Sequence, residues 1–125
     1  MFQAGLYFIL VSLVLAWLLV VLRYLLKVDE EKIATTQVLK AHIDYLLMGI
    51  LLLLFSGFNV SYSSWIVTLA IVGAVSNPFM FLVLAFKPRV SKAPFSLFGI
   101  TSTLSFIVTT LGFGGLCIQA LQAQT

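Results

Sequence analysis

Four long apolar segments, separated by three short polar breaks, make up most of the chain. The first extends from about residue 4 to residue 26 and carries no charge before Arg23. At about 1.5 Å of rise per residue, a helix of this length can cross a hydrocarbon core of roughly 30 Å. Three further spans are predicted at residues 38–56, 64–86 and 95–121. We therefore predict an all-α integral membrane protein, with four transmembrane helices in one antiparallel bundle and one domain over residues 1–125.

The polar breaks contain residues that begin or end helices. Residues 28–32 form a mixed-charge loop, and the Thr35-Thr36 pair is placed to cap a helix that begins near residue 37 or 38. The second break is short, uncharged and rich in Gly, Asn and Ser. The third contains Pro88, which cannot continue a helix and disfavours helical geometry in the residue before it.

The distribution of positive charge predicts the orientation. All seven Lys and Arg residues lie in or beside the first and third breaks, whereas the second break and both termini have none. Because cytoplasmic loops are enriched in Lys and Arg, we expect both charged loops in the cytoplasm and both termini on the other side. The first apolar segment also lacks the preceding positive charge of a secretory signal, so we expect it to remain in the mature protein.

Composition excludes several classes of protein. With 62% hydrophobic residues, 9% charged residues and a mean hydropathy of +1.16, the chain is not an ordinary soluble domain. One His and one Cys cannot supply the four N or S ligands of a zinc site within one chain. The net charge of +3 comes from cations at segment ends, which indicates topology rather than nucleic-acid binding.

His42 is the only histidine, and it lies near the predicted cytoplasmic end of the second span. At helical spacing it shares a face with Tyr45 and Gly49. A glycine near an imidazole leaves a strip of backbone that a flat macrocycle can approach, so His42 is a candidate axial ligand of haem. The alternative is a histidine at the headgroup boundary that bonds to loop carbonyls, which is the commoner situation.

Asp44 is the only acid outside the first loop. It lies four residues after Lys40, a spacing that predicts a local ion pair. Alternatively, Lys40 joins Arg23 and Lys27 in a cationic rim that binds haem propionates or lipid phosphates. Composition alone favours lipid phosphate over haem propionate as the partner.

Ser76-Asn77-Pro78 lies near the middle of the third span. Pro78 is expected to release the carbonyl of Ala74 and to kink the helix. Asn77 then supports the broken backbone or bonds to a neighbouring helix. We expect the kink to open a pocket with few polar groups, which suits a small apolar ligand.

The last span carries a stripe of small and polar residues at Ser102, Ser105, Thr109 and Gly112. Packing between helices explains such a stripe, because lipid offers no hydrophobic reward for helix association and small residues let helices approach closely. Small-residue faces of this kind also lead us to expect oligomerisation.

Taken with these spans, the residues around His42 and Asn77 resemble the styrene oxide isomerase family. Members of that family are small four-helix membrane proteins that form trimers and bind haem b through one axial histidine, and their ferric iron acts as a Lewis acid on an epoxide. The family's Ala-His pair is matched by Ala41-His42, its Gly seven residues later by Gly49, and its Ser-Asn pair by Ser76-Asn77. The resemblance implies haem b on His42, a homotrimer or a place in a larger membrane complex, and the bacterial inner membrane.

Three positions depart from the family pattern. Met48 stands where the family has an Asn that handles substrate, Gly73 where it has an acid, and Phe81 where it has a Tyr. Each change removes a group that could hydrogen-bond to an oxygenated substrate. His42 and Gly49 remain, so the resemblance implies that haem binding survives these changes, and it leaves isomerisation of styrene oxide itself open.

Two functions follow. The first is a haem b protein that isomerises a small apolar epoxide to a carbonyl compound, with Tyr45 and Asn77 as candidate catalytic residues. The residues expected beside the haem are His42, Gly49, Lys40 and Arg23. The alternative is a non-catalytic accessory subunit of a larger membrane complex, with or without haem, whose polar residues serve helix association.

Overall fold

The structure is a computed structural model that describes residues 1–89 and 96–124. Its helices are α1 (Phe2–Val20), continued by a π-helical turn (Val21–Leu25), then α2 (Thr35–Gly57), α3 (Ser64–Phe86) and α4 (Leu97–Gln122). Taking α1 together with its π-helical turn, all four helical segments are long and apolar enough to cross a membrane. The predicted all-α architecture with four spanning helices is therefore confirmed.

Each helix packs mainly on its neighbours in sequence, α1 on α2, α2 on α3, and α3 on α4. Successive helices run in opposite directions. At one end, which we name the charged end, the amide of Ala34 before α2 donates to the carbonyl of Ala85 near the end of α3 (2.9 Å). The opposite end, residues 58–63, is the uncharged end. Between α1 and α4, whose residues are all described, there is no packing of comparable extent, so α2 and α3 lie centrally.

Glycine allows α3 and α4 to approach closely. A Cβ added to Gly112 would lie 2.4 Å from the backbone nitrogen of Ala70, and one added to Gly73 would lie 2.5 Å from the Cα of Thr109. Ser105 and Thr109 are buried in the same contact. The prediction that the small and polar stripe of the last span serves helix packing is therefore confirmed for Ser105, Thr109 and Gly112.

The start of α2 differs from the prediction. We expected a threonine cap and a helix start near residue 37, but α2 begins at Thr35 itself, after Ala34. The Thr35 hydroxyl accepts a hydrogen bond from Arg23 Nε (2.9 Å) and donates one to the carboxylate of Glu30. The cap prediction is wrong because this hydroxyl joins the mixed-charge loop to the end of the first helical segment.

The other helix bounds agree closely with the prediction. α3 ends at Phe86, directly before the Lys87-Pro88 pair, and its range is the one predicted. α4 begins at Leu97, where the Ser96 hydroxyl caps it by accepting from the amide of Gly99 (3.2 Å). The expected start at residue 95 lies outside the described residues.

At the uncharged end, α3 and α4 are joined by side-chain contacts. The amide of Ser63 donates to Gln119 Oε1 (3.0 Å), and Gln119 Nε2 donates to the Ser63 hydroxyl (2.8 Å). The ring of Tyr62 packs edge-on against Phe55, with centroids 6.2 Å apart. Its hydroxyl is enclosed without a hydrogen-bond partner among the described residues. Burial raises the pKa of this phenol.

Candidate functional site

Polar side chains from all four helices meet at one level of the helix group. Hydrogen bonds join them in pairs across each contact between neighbouring helices. Because the two members on α2 are two residues apart, they differ by only about 3 Å along the helix axis, and the two members on α3 are adjacent. We call this set the polar layer: Ser12 of α1, His42 and Asp44 of α2, Ser76 and Asn77 of α3, and Ser105 of α4.

The His42 ring is held by α1 through Ser12. His42 Nδ1 lies 2.8 Å from the backbone carbonyl oxygen of Ser12 and 2.9 Å from its hydroxyl oxygen, and that hydroxyl donates to the His42 carbonyl (3.1 Å). A carbonyl oxygen cannot donate, so we infer that Nδ1 carries the proton. In the neutral ring Nε2 then keeps its lone pair, and it has no hydrogen-bond partner in residues 1–89 and 96–124.

His42 lies deeper than we expected. α2 begins seven residues earlier at Thr35, which corresponds to about 10 Å of helix. Its partner Ser12 lies near the middle of the helical stretch Phe2–Leu25. The alternative of a boundary histidine bonded to loop carbonyls is therefore wrong, because the carbonyl that His42 contacts belongs to α1.

Gly49 does not provide the expected open strip of backbone within one chain. A Cβ added to Gly49 would lie 2.9 Å from the carbonyl oxygen of Gly5 and 2.9 Å from a side-chain carbon of Ile9. α1 therefore covers the face of Gly49 that we expected a macrocycle to approach.

Tyr45 contributes to both contacts of α2. Its buried ring packs on Phe8 of α1 with centroids 5.9 Å apart, and its hydroxyl donates to the carbonyl of Val75 on α3 (3.2 Å). α3 continues through Pro78, which is fully buried. Pro78 has no N–H and cannot donate to the carbonyl of Ala74. Val75 is the next residue, so the Tyr45 hydroxyl supports α3 in the turn before its proline.

Asp44 pairs with Asn77 rather than with Lys40. Asn77 Nδ2 donates to Asp44 Oδ2 across the contact between α2 and α3, at 2.6 Å. The expected ion pair between Lys40 and Asp44 is wrong, whereas the expectation that Asn77 bonds to a neighbouring helix is confirmed. Asp44 is half-buried, and its second carboxylate oxygen has no hydrogen-bond partner in the part of the chain that the structure describes. Directly before Asn77 on α3, Ser76 accepts from the hydroxyl of Ser105 (2.9 Å).

The remaining candidate cations lie towards the charged end. Arg23 is engaged with Thr35. Lys40 is exposed, and no hydrogen bond or ion pair with another described residue holds it. The cavities lined by described residues lie away from the polar layer; they include one of about 450 Å³ between α3 and α4 at the uncharged end and one of about 360 Å³ beside Lys87. Within the described ranges, no three His, Cys, Asp or Glu side chains come together.

The structure therefore divides the predicted site between two helix contacts. Tyr45, Asp44 and Asn77 meet between α2 and α3, whereas His42 is bonded to α1. Sequence reasoning missed Ser12 as the partner of His42. The available signal was that Ser12 is the only Ser or Thr in the first apolar span.

Comparison with protein-family models, with curated proteins and with solved structures finds no match. The fold and the site define an all-α protein with four helices able to span a membrane and a hydrogen-bonded polar layer between them. Lipid contact follows from the apolar exteriors of these helices.

Proposed function

We propose that this protein binds haem b in the membrane, with His42 as the axial ligand of the iron. The supporting observation is the contact of His42 Nδ1 with the Ser12 carbonyl, at 2.8 Å. It selects the tautomer with a lone pair on Nε2, which is the form that binds a metal, and a backbone carbonyl is a common outer partner of ligating histidines. The buried Ser12 hydroxyl adds a second contact that orients the ring.

The surroundings of His42 suit a haem shared between copies better than one enclosed in a single chain. α1 covers the face at Gly49, so a haem would approach His42 from another side. Lys40 is two residues from His42 and therefore lies about 200° around the helix. In that position it suits contact with a propionate of a haem that another copy binds. Arg23 is already engaged with Thr35. We therefore propose a homo-oligomer, such as the trimer that the resemblance implies.

If bound at His42, ferric haem would supply a Lewis acid, for which a small apolar epoxide is a suitable substrate. Tyr45 and Asn77 remain the proposed polar groups of that reaction. Each already donates to a partner, Tyr45 to the Val75 carbonyl and Asn77 to Asp44, so what they can offer a substrate is the acceptor side of the Tyr45 hydroxyl and Oδ1 or the second Nδ2 hydrogen of Asn77. At Gly73, a Cβ would lie 2.5 Å from the Cα of Thr109, so the acid that the family carries there has no room. Haem binding and isomerisation are therefore two separate proposals, each with its own test.

The test is the visible spectrum of the protein purified from haem-replete cells. We expect a Soret band in the wild type and in Asp44→Asn, and none in His42→Ala, with haem measured as its pyridine complex. A colourless wild-type protein contradicts the proposal. If haem is present, incubation with aryl and alkyl epoxides should yield an aldehyde or a ketone. No product from any of them would leave haem binding without the isomerase reaction.

The alternative function is a non-catalytic accessory subunit of a larger membrane complex. It is favoured by the contacts of Asp44, Tyr45 and Ser76, because each joins one helix to the next and helix association accounts for them without a substrate. On this alternative the protein, with or without haem, co-purifies at fixed stoichiometry with a larger membrane protein. Asn77→Leu should then weaken the complex, whereas His42→Ala should leave it intact.

We also propose that the membrane is the bacterial inner membrane and that the charged end faces the cytoplasm. The membrane is proposed from the resemblance, and the orientation from the placement of all seven Lys and Arg residues in or beside two loops. In a Cys117→Ser background, a membrane-impermeant thiol reagent added to intact spheroplasts should label Asn59→Cys and spare Lys32→Cys. The reverse labelling would place the charged end outside.

A further inference from the structure

One face of α2 is covered by neither α1 nor α3. Its exposed residues recur at alternating spacings of three and four, which is the 3.5-residue repeat of a helix seam. Every spanning helix exposes apolar side chains to lipid, so the repeat alone identifies no partner. We call this face the α2 stripe, and its members are Lys40, Ile43, Leu47, Ile50, Leu54 and Gly57.

The charges beside the α2 stripe distinguish it from a lipid-facing surface. Lys40 lies in the stripe and Asp44 lies at its edge, one turn further into the membrane. No ion pair within 4.0 Å involves either of them among the described residues, and one Asp44 oxygen has no hydrogen-bond partner there. A charge at this depth is costly unless it meets a partner. The stripe thus presents one cation and its edge one anion, and neither is in an ion pair among the described residues, although Asn77 donates a hydrogen bond to the anion.

We propose that the α2 stripe is where a second copy of this chain docks, with Lys40 of each copy paired to Asp44 of the other. Copies inserted in one membrane run in the same direction, so two stripes meet in parallel. In a two-fold contact each pair forms twice, so Lys40 of the first copy meets Asp44 of the second, and Lys40 of the second meets Asp44 of the first. Four residues correspond to about 6 Å of helix rise, which a lysine side chain can span.

The apolar part of the stripe fits the same contact. Ile43, Leu47, Ile50 and Leu54 are 42–57% exposed and alternate as the knobs of a parallel helix pair. At Gly57 an added Cβ would meet nothing within 4 Å, so the backbone is open to a close neighbour. This inference names a two-fold contact, which is distinct from the trimer contact that the resemblance implies. It assigns Lys40 to Asp44 of the second copy instead of to a haem propionate, and its test does not depend on haem.

Disulfide cross-linking tests the surface in membranes, in a Cys117→Ser background. We expect Leu47→Cys to give a disulfide-linked dimer on oxidation and Ile107→Cys on α4 to give none. The two positions are matched in exposure, at 50% and 46%. Equal cross-linking at both positions, or none at Leu47→Cys, would overturn the proposal.

A mixed-copy experiment tests the charge pairs and separates them from a pair within one chain. Lys40→Met and Asp44→Asn each remove both cross-pairs from their own dimer, as well as any internal pair. In a mixed dimer, Lys40 of one copy still faces Asp44 of the other, although neither copy can form an internal pair. We expect a mixed-dimer association constant about fivefold above that of either variant alone, equivalent to roughly 1 kcal/mol.

Energy transfer between two differently labelled copies in vesicles measures that association. Asp44→Asn keeps an acceptor for Asn77, and circular dichroism checks that both variants retain their helices. Equal association of the mixed and single-variant dimers would overturn the charge pairing, because internal pairs predict that result. The haem spectrum is not used, so this outcome leaves the haem proposal to its own test.

Discussion

The contact between α3 and α4 predicts a large effect from one added methyl group. In Gly112→Ala the new Cβ would lie 2.4 Å from Ala70 N, 2.5 Å from Ala70 Cα and 2.7 Å from the carbonyl carbon of Leu69. All three are backbone atoms, which cannot move aside as a flexible side chain can. Ordinary contact begins at 3.4 Å, so the helices must separate by about 1 Å locally (3.4 − 2.4). Overpacking of this kind costs about 1–3 kcal/mol.

Gly114→Ala is the matched control, since it adds the same methyl group two residues further along α4. Nothing lies within 4 Å of that Cβ, and alanine in a helix is about 0.5–1 kcal/mol more favourable than glycine. We therefore expect Gly114→Ala to unfold at or slightly above the wild-type midpoint and Gly112→Ala clearly below it. The assay is reversible denaturation in mixed micelles, followed by helical circular dichroism. Equal midpoints for the two variants would refute the close contact at Gly112.

Four further substitutions test particular polar groups in the same assay. Tyr62→Phe should stabilise the protein by about 1 kcal/mol, because it removes an enclosed hydroxyl without a partner and keeps the ring contact; a loss of stability would mean that this hydroxyl is bonded. Asn77→Leu should destabilise by about 1–3 kcal/mol, because it removes the donor to Asp44, whereas Asp44→Asn should cost less; equal effects would argue against the pairing. Ser12→Ala should lower the free energy of unfolding by about 1 kcal/mol and retain any Soret band, because the backbone carbonyl still accepts from His42. Loss of the band would mean that haem binding depends on the Ser12 hydroxyl.

The helices could be predicted from the sequence because hydrophobic length is a local property. Residues 64–86 are bounded by a Ser-rich turn and by Pro88, and both act on the chain beside them. The start of α2 was less predictable, because the Thr35 hydroxyl serves Arg23 and Glu30 instead of the helix terminus. A capping rule considers only neighbours in sequence, so it could not include a partner twelve residues away.

The site was predictable one residue at a time, but its pairs were not. Helical spacing correctly separated His42 from Asp44 and placed Gly49 on the His42 face. It could not show that α1 fills that face at Gly5, because the contact depends on how two helices pack. The prediction of an ion pair between Lys40 and Asp44 was wrong for the same reason, because Asn77 on α3 donates to the Asp44 carboxylate.

The hydrogen bonds of the polar layer restrict where chemistry can occur. Tyr45 and Asn77 are each engaged with an adjacent helix, and these contacts hold α2 against α3. Three atoms of the layer have no hydrogen-bond partner among the described residues: Nε2 of His42, one carboxylate oxygen of Asp44 and Oδ1 of Asn77. Two residues apart on a helix correspond to about 200° of rotation, so the His42 and Asp44 atoms lie on well-separated faces of α2. One ligand held within a single chain cannot easily engage both, whereas an assembly of copies can use one face for a cofactor and the other for association.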